Sequence, residues 1–177
     1  MADYIRFDWA MKRLLRDKAN YGVIEGLLTT LLNEKITIRR MLESESNQEE
    51  EYDKSNRVDI LAEDSKGRLI LFEIQNNNEY AYFQRMLFGV SKLVTEYIRR
   101  GQGYENIRKI YSINIVYFAL GAGKDIVYHG TTEFRGIHNN DILQLSPFQR
   151  EKFEVDTVRQ LYHEYYIIRD NDFDQWS

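Results

Sequence analysis

Apolar residues recur at helical spacing twice before residue 34. Ile5, Trp9 and Leu15, with Met11 and Leu14, form one stripe, and Val23, Ile24, Leu27, Leu28, Leu31 and Leu32 form a stronger one. Asn20 suits the N-cap of the second helix, and Asn33-Glu34 its end. Residues 35–39 then alternate as a strand does. The most informative segment comes after residue 56. Two apolar runs, Arg57-Val58-Asp59-Ile60-Leu61-Ala62 and Arg68-Leu69-Ile70-Leu71-Phe72-Glu73-Ile74-Gln75, are joined by Asp64-Ser65-Lys66-Gly67. Four polar residues ending in glycine suit a type I turn with the glycine left-handed, which closes a hairpin. In that register Asp64 pairs with Arg68, so Asp59 falls opposite Glu73. Directly opposed residues share a sheet face, and Gln75 shares it by the period of two.

A long helical stripe follows: Phe83, Met86, Leu87, Val90, Leu93, Val94, Tyr97 and Ile98, stopped by Gly101. Residues 109–120 read as a buried strand, and Gly121-Ala122-Gly123 turns the chain into Ile126-Val127-Tyr128. Beyond Gly130 the pattern predicts a short strand at 142–145, a helix near 155–163 and a last strand at 165–169. The order of helix, strand, hairpin, helix and strand predicts an α/β layer fold with a mixed sheet.

Composition narrows the class. A chain of 177 residues, 43% hydrophobic and 14% aromatic, suits one domain with a real core and is not a disordered tail. Zero cysteines exclude disulfides, a thiol nucleophile and a cysteine zinc site. No run approaches the roughly 20 apolar residues that cross a bilayer, and residues 1–12 lack the apolar core of a signal peptide. A cytoplasmic protein without a membrane partner is expected. The net charge of −4 hides local asymmetry: residues 5–18 carry +3, residues 85–109 carry +4 and residues 43–53 carry −6. Basic faces of that kind can grip a polyanion, because at physiological salt the field is local. Solvated helix faces explain the same counts. His129, His138 and His163 show no metal-ligand spacing, and residues 121–124 are too short for a phosphate-binding loop.

Two carboxylates facing each other within apolar strands need a reason. Like charges directly opposite destabilise a sheet, and a buried carboxylate is costly unless paired or bound to metal. A hard divalent cation removes the repulsion; a surface pairing with Arg57 or Arg68 is the alternative.

Asn56-Arg57-Val58-Asp59-Ile60, Leu71-Phe72-Glu73-Ile74-Gln75 and Arg85-Met86-Leu87-Phe88-Gly89-Val90, continuing through Gly101-Gln102-Gly103-Tyr104 into residues 112–118, resemble the PD-(D/E)XK nuclease superfamily. The nearer resemblance is to its recombination-promoting nuclease branch, whose members carry the transposase label. It runs from about residue 7 to the end of the chain. The resemblance implies a restriction-endonuclease-like core, a mixed central β-sheet flanked by α-helices, and a Mg²⁺-dependent DNA endonuclease in which Mn²⁺ substitutes. Asp59 and Glu73 would be the metal-binding carboxylates, with the Ile74 carbonyl a further ligand. Gln75 would be the third catalytic residue. It stands where the superfamily most often has lysine, which places water and stabilises negative charge; glutamine can only hydrogen-bond. Glu25 matches the place of an additional acidic ligand, or is a solvated helix carboxylate. Arg85 would contact a phosphate or pair with a helix glutamate. Lys12, Arg13, Arg99 and Arg100 would grip the DNA backbone.

The expected organisation is one domain over 1–177: N-terminal helices over 1–33, a catalytic core over 35–130 and a C-terminal extension over 131–177. The branch generally continues past that point, so a truncated extension is expected. DNA is the expected partner, and a homodimer is left open. A catalytically silent nuclease-fold module that binds nucleic acid or protein is the rival from another class. A two-carboxylate glycoside hydrolase fits the acids, but a single domain with only 2 tryptophans fits it poorly.

Overall fold

In the computed structural model, which describes residues 21–42 and 57–169, the hairpin lies within a six-stranded mixed sheet whose strands run, in spatial order, β1 (Ile38–Leu42), β2 (Arg57–Asp64), β3 (Leu69–Gln75), β4 (Ile110–Val116), β6 (Glu164–Arg169) and β5 (Val127–Gly130). The helix expected over the first twenty residues, the acidic stretch 43–53, Lys12 and Arg13 lie outside the described residues. Strands β2 (Arg57–Asp64) and β3 (Leu69–Gln75) pair antiparallel in the expected register, with Asp59 opposite Glu73 and Arg57 opposite Gln75. Asp64 closes the turn itself. Its Oδ1 accepts from the backbone N–H groups of Lys66 at 3.0 Å and Arg68 at 2.8 Å, while Gly67 takes φ 78°. Only glycine enters that left-handed region without steric cost.

Strand β4 (Ile110–Val116) runs parallel to β3, and β6 (Glu164–Arg169) runs parallel to β4. The outer strands β1 (Ile38–Leu42) and β5 (Val127–Gly130) pair antiparallel to β2 and β6. The first strand thus starts three residues later than the alternation at 35–39 suggested.

The sheet is covered on both faces, and every residue of β3 is buried. Helix α1 (Tyr21–Leu32) lays Ile24 and Leu28 on Ala62, Ile70, Phe72, Tyr111, Ile113 and Tyr166. Asn33, at φ 52°, ends it. Helix α2 (Tyr82–Glu96) covers the opposite face, packing Val90 and Leu93 on Leu61, Leu69, Leu71 and Ile110, and Tyr82 and Met86 on Val116 and Leu120. Its regular turns end at Glu96, before the expected stop; Gly101, at φ 87°, ends the irregular turn that follows. The predicted stripe was too wide. Tyr82, Met86, Val90 and Leu93 are buried, whereas Phe83 and Leu87 are 52% and 55% exposed. Those two border an apolar groove of about 320 Å³ that also meets Tyr128, Tyr165 and Ile167.

After β5 the reading was weakest. Residues 142–145 form no strand, only an isolated bridge from Ile142 to Arg135. Two short helices occupy the stretch, α3 (Pro147–Phe153) and α4 (Val158–Leu161), each opened by a capping box: Ser146 with Gln149, and Thr157 with Gln160.

Candidate active site

The hairpin register sets the site. Asp59 on β2, Glu73 on β3 and Asn114 on β4 are successive partners across the sheet, so all three share the α2 face. Gln75, two residues beyond Glu73, lies on that face as well. Asp59 is half-buried; Glu73 is 4% exposed and Gln75 8%. Ile74, the residue between Glu73 and Gln75, turns its buried side chain to the other face.

Helix α2 closes over this row. A methyl group on Gly89 would stand 3.6 Å from Leu71 Cδ2 and 3.7 Å from Glu73 Oε1, so the helix passes directly above the carboxylate. About two turns earlier in the helix, the fully buried Tyr82 hydroxyl lies 3.1 Å from Asn114 Oδ1 and 3.5 Å from Glu73 Oε2. Asn114 is fixed from the other side. Its amide nitrogen donates to Ser112 Oγ at 2.9 Å and to the Tyr166 carbonyl at 3.2 Å. Sequence reasoning missed Asn114 and Tyr82. The available signal was a lone amide in the apolar run Ile113-Asn114-Ile115, on the strand that pairs with β3.

Gln75 is held at the mouth of the row. Its Nε2 donates to the Asn77 carbonyl at 3.2 Å and to Glu79 Oε2 at 2.9 Å, and the same Glu79 oxygen accepts from Arg85 Nη1 at 2.9 Å. Arg85 therefore reaches the site on the first turn of α2, engaged by Glu79, a residue the sequence did not single out.

Glu25 is a correction. The helix that carries it packs on the opposite face of the sheet from Asp59 and Glu73, and its Oε1 accepts from the Ile38 N–H at 3.1 Å. It caps the entry to β1 instead of joining the carboxylate pair. Its helical position showed which side of α1 it occupied, but not which face of the sheet α1 would cover.

The basic stretch 85–109 is also less available than its charge suggested. Arg85 pairs with Glu79, Lys92 with Glu96, Arg108 with Glu63 and Lys109 with Glu164. Arg99 and Arg100 are exposed and form no ion pair among the described residues. They follow the far end of α2, whose last regular residue, Glu96, lies about 10 Å along the axis from Gly89 above Glu73.

The donor set around Asp59 and Glu73 consists of oxygens, which suits a hard divalent cation held by one or two carboxylates and completed by water and phosphate. Gln75 Oε1 strengthens the fit, because it is buried and finds no hydrogen-bond partner among the described residues. Among the described residues no group of three or more His, Cys, Asp or Glu side chains able to hold a metal occurs. No described helix is long and apolar enough to cross a membrane.

Compared with known proteins, residues 5–145 match a family model described as PD-(D/E)XK nuclease family transposase. Neither the curated proteins nor the solved structures provided a match.

Proposed function

Because the chain belongs to the PD-(D/E)XK nuclease family, we propose that it is a metal-dependent DNA endonuclease that hydrolyses phosphodiester bonds, tied by its family to recombination or mobile elements. One observation carries the reading: two carboxylates, Asp59 and Glu73, are set directly opposite each other on a helix-covered sheet face. Two carboxylates so placed suit a role in holding a divalent cation.

Asp59 and Glu73 would hold a divalent cation, Mg²⁺ by preference with Mn²⁺ as substitute, with the Ile74 carbonyl as a further ligand. When bound, the cation supplies Lewis-acid chemistry, polarising the phosphate and acidifying water. The protein supplies the geometry. The backbone ladder sets the spacing of the carboxylates, and α2 excludes water from above Glu73. The Tyr82 hydroxyl, bonded to Asn114 Oδ1 and 3.5 Å from Glu73 Oε2, would help to orient that carboxylate. Gln75 offers no positive charge, so stabilisation of the developing phosphate charge falls to the cation and to Arg85, whose Nη1 is shared with Glu79. Arg99 and Arg100 would grip backbone phosphates away from the cleaved bond.

The test is plasmid cleavage by wild type and Asp59→Ala over a Mg²⁺ and Mn²⁺ titration. Metal-dependent nicking that the substitution lowers by orders of magnitude supports the reading. Absence of cleavage by wild type, together with indifference to metal, would favour a silent nuclease-fold module.

A further inference from the structure

The glutamine that stands in for lysine is held in a definite orientation. Both partners of Gln75 Nε2, the Asn77 carbonyl and the Glu79 carboxylate, are acceptors only, so the amide nitrogen must face them. Its oxygen is thereby left as a buried acceptor with no partner among the described residues. An unpaired buried acceptor is costly. Glu79 is itself secured by Arg85 Nη1 on the first turn of α2, so the amide is clamped from the helix as well as from its own loop.

Resting on the nuclease reading, we propose that Glu79 is a positioning residue that turns Gln75 Oε1 into the hydrogen-bond acceptor for the attacking water. A lysine at this position would donate to the phosphate or the water. Gln75, gripped by its amino group, does the opposite. It accepts an O–H from the water and so aims a water lone pair without taking the proton, since an amide oxygen is too weakly basic to do so. The chain Arg85–Glu79–Gln75 thus transmits the placement of α2 to the nucleophile, beside the carboxylates that would hold the cation.

The isosteric substitution Glu79→Gln tests this. Glu79 Oε2 serves both Gln75 Nε2 and Arg85 Nη1, so a neutral amide in its place holds the Gln75 amino group less firmly and frees the Gln75 amide to turn NH₂ to the site. Cleavage in saturating Mn²⁺ should then fall by about 10- to 100-fold in kcat, with KM for DNA little changed. The double variant Gln75→Glu with Glu79→Gln restores an acceptor: the carboxylate introduced at position 75 accepts from the amide at position 79 through one oxygen and offers the other. Its activity should recover at least tenfold over Glu79→Gln. A merely structural ion pair would not be rescued this way.

A second readout needs neither metal nor DNA. In ¹⁵N-labelled protein the Gln75 side-chain NH₂ should be protected from hydrogen exchange, and Glu79→Gln should remove that protection while leaving the melting temperature within a few degrees. Higher activity in Glu79→Gln would show that Glu79 blocks a place meant for phosphate and would overturn the proposal. So would unchanged activity, absence of rescue, or free exchange of the wild-type NH₂. A wild type that neither cleaves DNA nor responds to metal defeats the nuclease reading and this proposal with it; cleavage by wild type with an indifferent Glu79→Gln defeats this proposal alone.

Discussion

Glu63 and Asp59 lie four residues apart on β2, on one face of one sheet, and the fold treats them in opposite ways. Glu63, with a side chain 2% exposed, receives Arg39 and Arg40 at 3.1 Å each and Arg108 at 2.8 Å. Asp59 is placed across from a second carboxylate. At the turn end of the hairpin the chain supplies its own cations, and the buried charge becomes part of the architecture. At the other end the ladder concentrates negative charge under α2. The first arrangement answers a buried charge with cations of the chain, and the second sets two carboxylates side by side under a helix. A carboxylate buried in this sheet is therefore no sign of chemistry until its partners are known.

The largest expected effect on stability comes from the turn end. Arg108→Met removes the closest guanidinium from Glu63 and its hydrogen bonds to the Gly67 carbonyl. With Arg39 and Arg40 still present but more than half exposed, the loss should be about 3 kcal/mol, read as a lower urea midpoint. A loss well under 1 kcal/mol would mean that the three-arginine arrangement does not hold the turn end together. The same substitution should leave the metal response of the other end intact.

A pH series separates the two ends further. The hydrogen bond from Arg108 holds the Glu63 carboxyl below its ordinary value, with Arg40 acting in the same direction against the opposing effect of burial. The folded state therefore binds this proton less tightly than the unfolded chain. The stability it contributes is present above the unfolded carboxylate pKa of about 4.3 and is lost as pH falls through the folded value. Urea midpoints of wild type should fall on acidification below about pH 4, and Arg108→Met should show a shallower fall over the same window. Parallel pH curves for the two proteins would detach Glu63 from acid sensitivity.

The smallest effect concerns the exposed arginines beyond α2. Changing Arg99 and Arg100 together to Gln should weaken DNA binding alike for all sequences. It should also reduce the magnitude of the log–log salt slope by roughly two, one for each lost phosphate contact. An unchanged slope would move the DNA track to another face.

The difference between the two ends also shows what could be read from the chain. The hairpin register, the Asp59–Glu73 opposition and α1 were legible because their signals are local: a four-residue turn, a period of two and a period of 3.6. The Glu63 site was not, because its arginines arrive from 24, 23 and 45 residues away, and counting charges along residues 85–109 cannot reveal them. Lys109 is likewise consumed by Glu164 on β6. Within the candidate site, the place of Gln75 on the Glu73 face follows from the period of two, whereas the places of Glu79, Tyr82 and Asn114 depend on how α2 and β4 close around β3. Glu25 was misplaced for the same reason, since amphipathicity defines a helix face but not the sheet face it meets. Residues 131–163 were hardest, because their two short helices rest on capping boxes and little periodicity.

The central claim is that the Asp59–Glu73 opposition exists to hold a cation. Asp59→Asn keeps the shape of the side chain and removes one of the two charges, so melting of wild type and Asp59→Asn with and without Mn²⁺ tests it directly. Without metal the variant should melt at or above the wild-type temperature, because repulsion across the ladder is relieved. With Mn²⁺ the wild type should rise, by linkage to binding in the folded state alone, and the variant should not. An equal rise in the two proteins, or no rise in wild type, would contradict the claim.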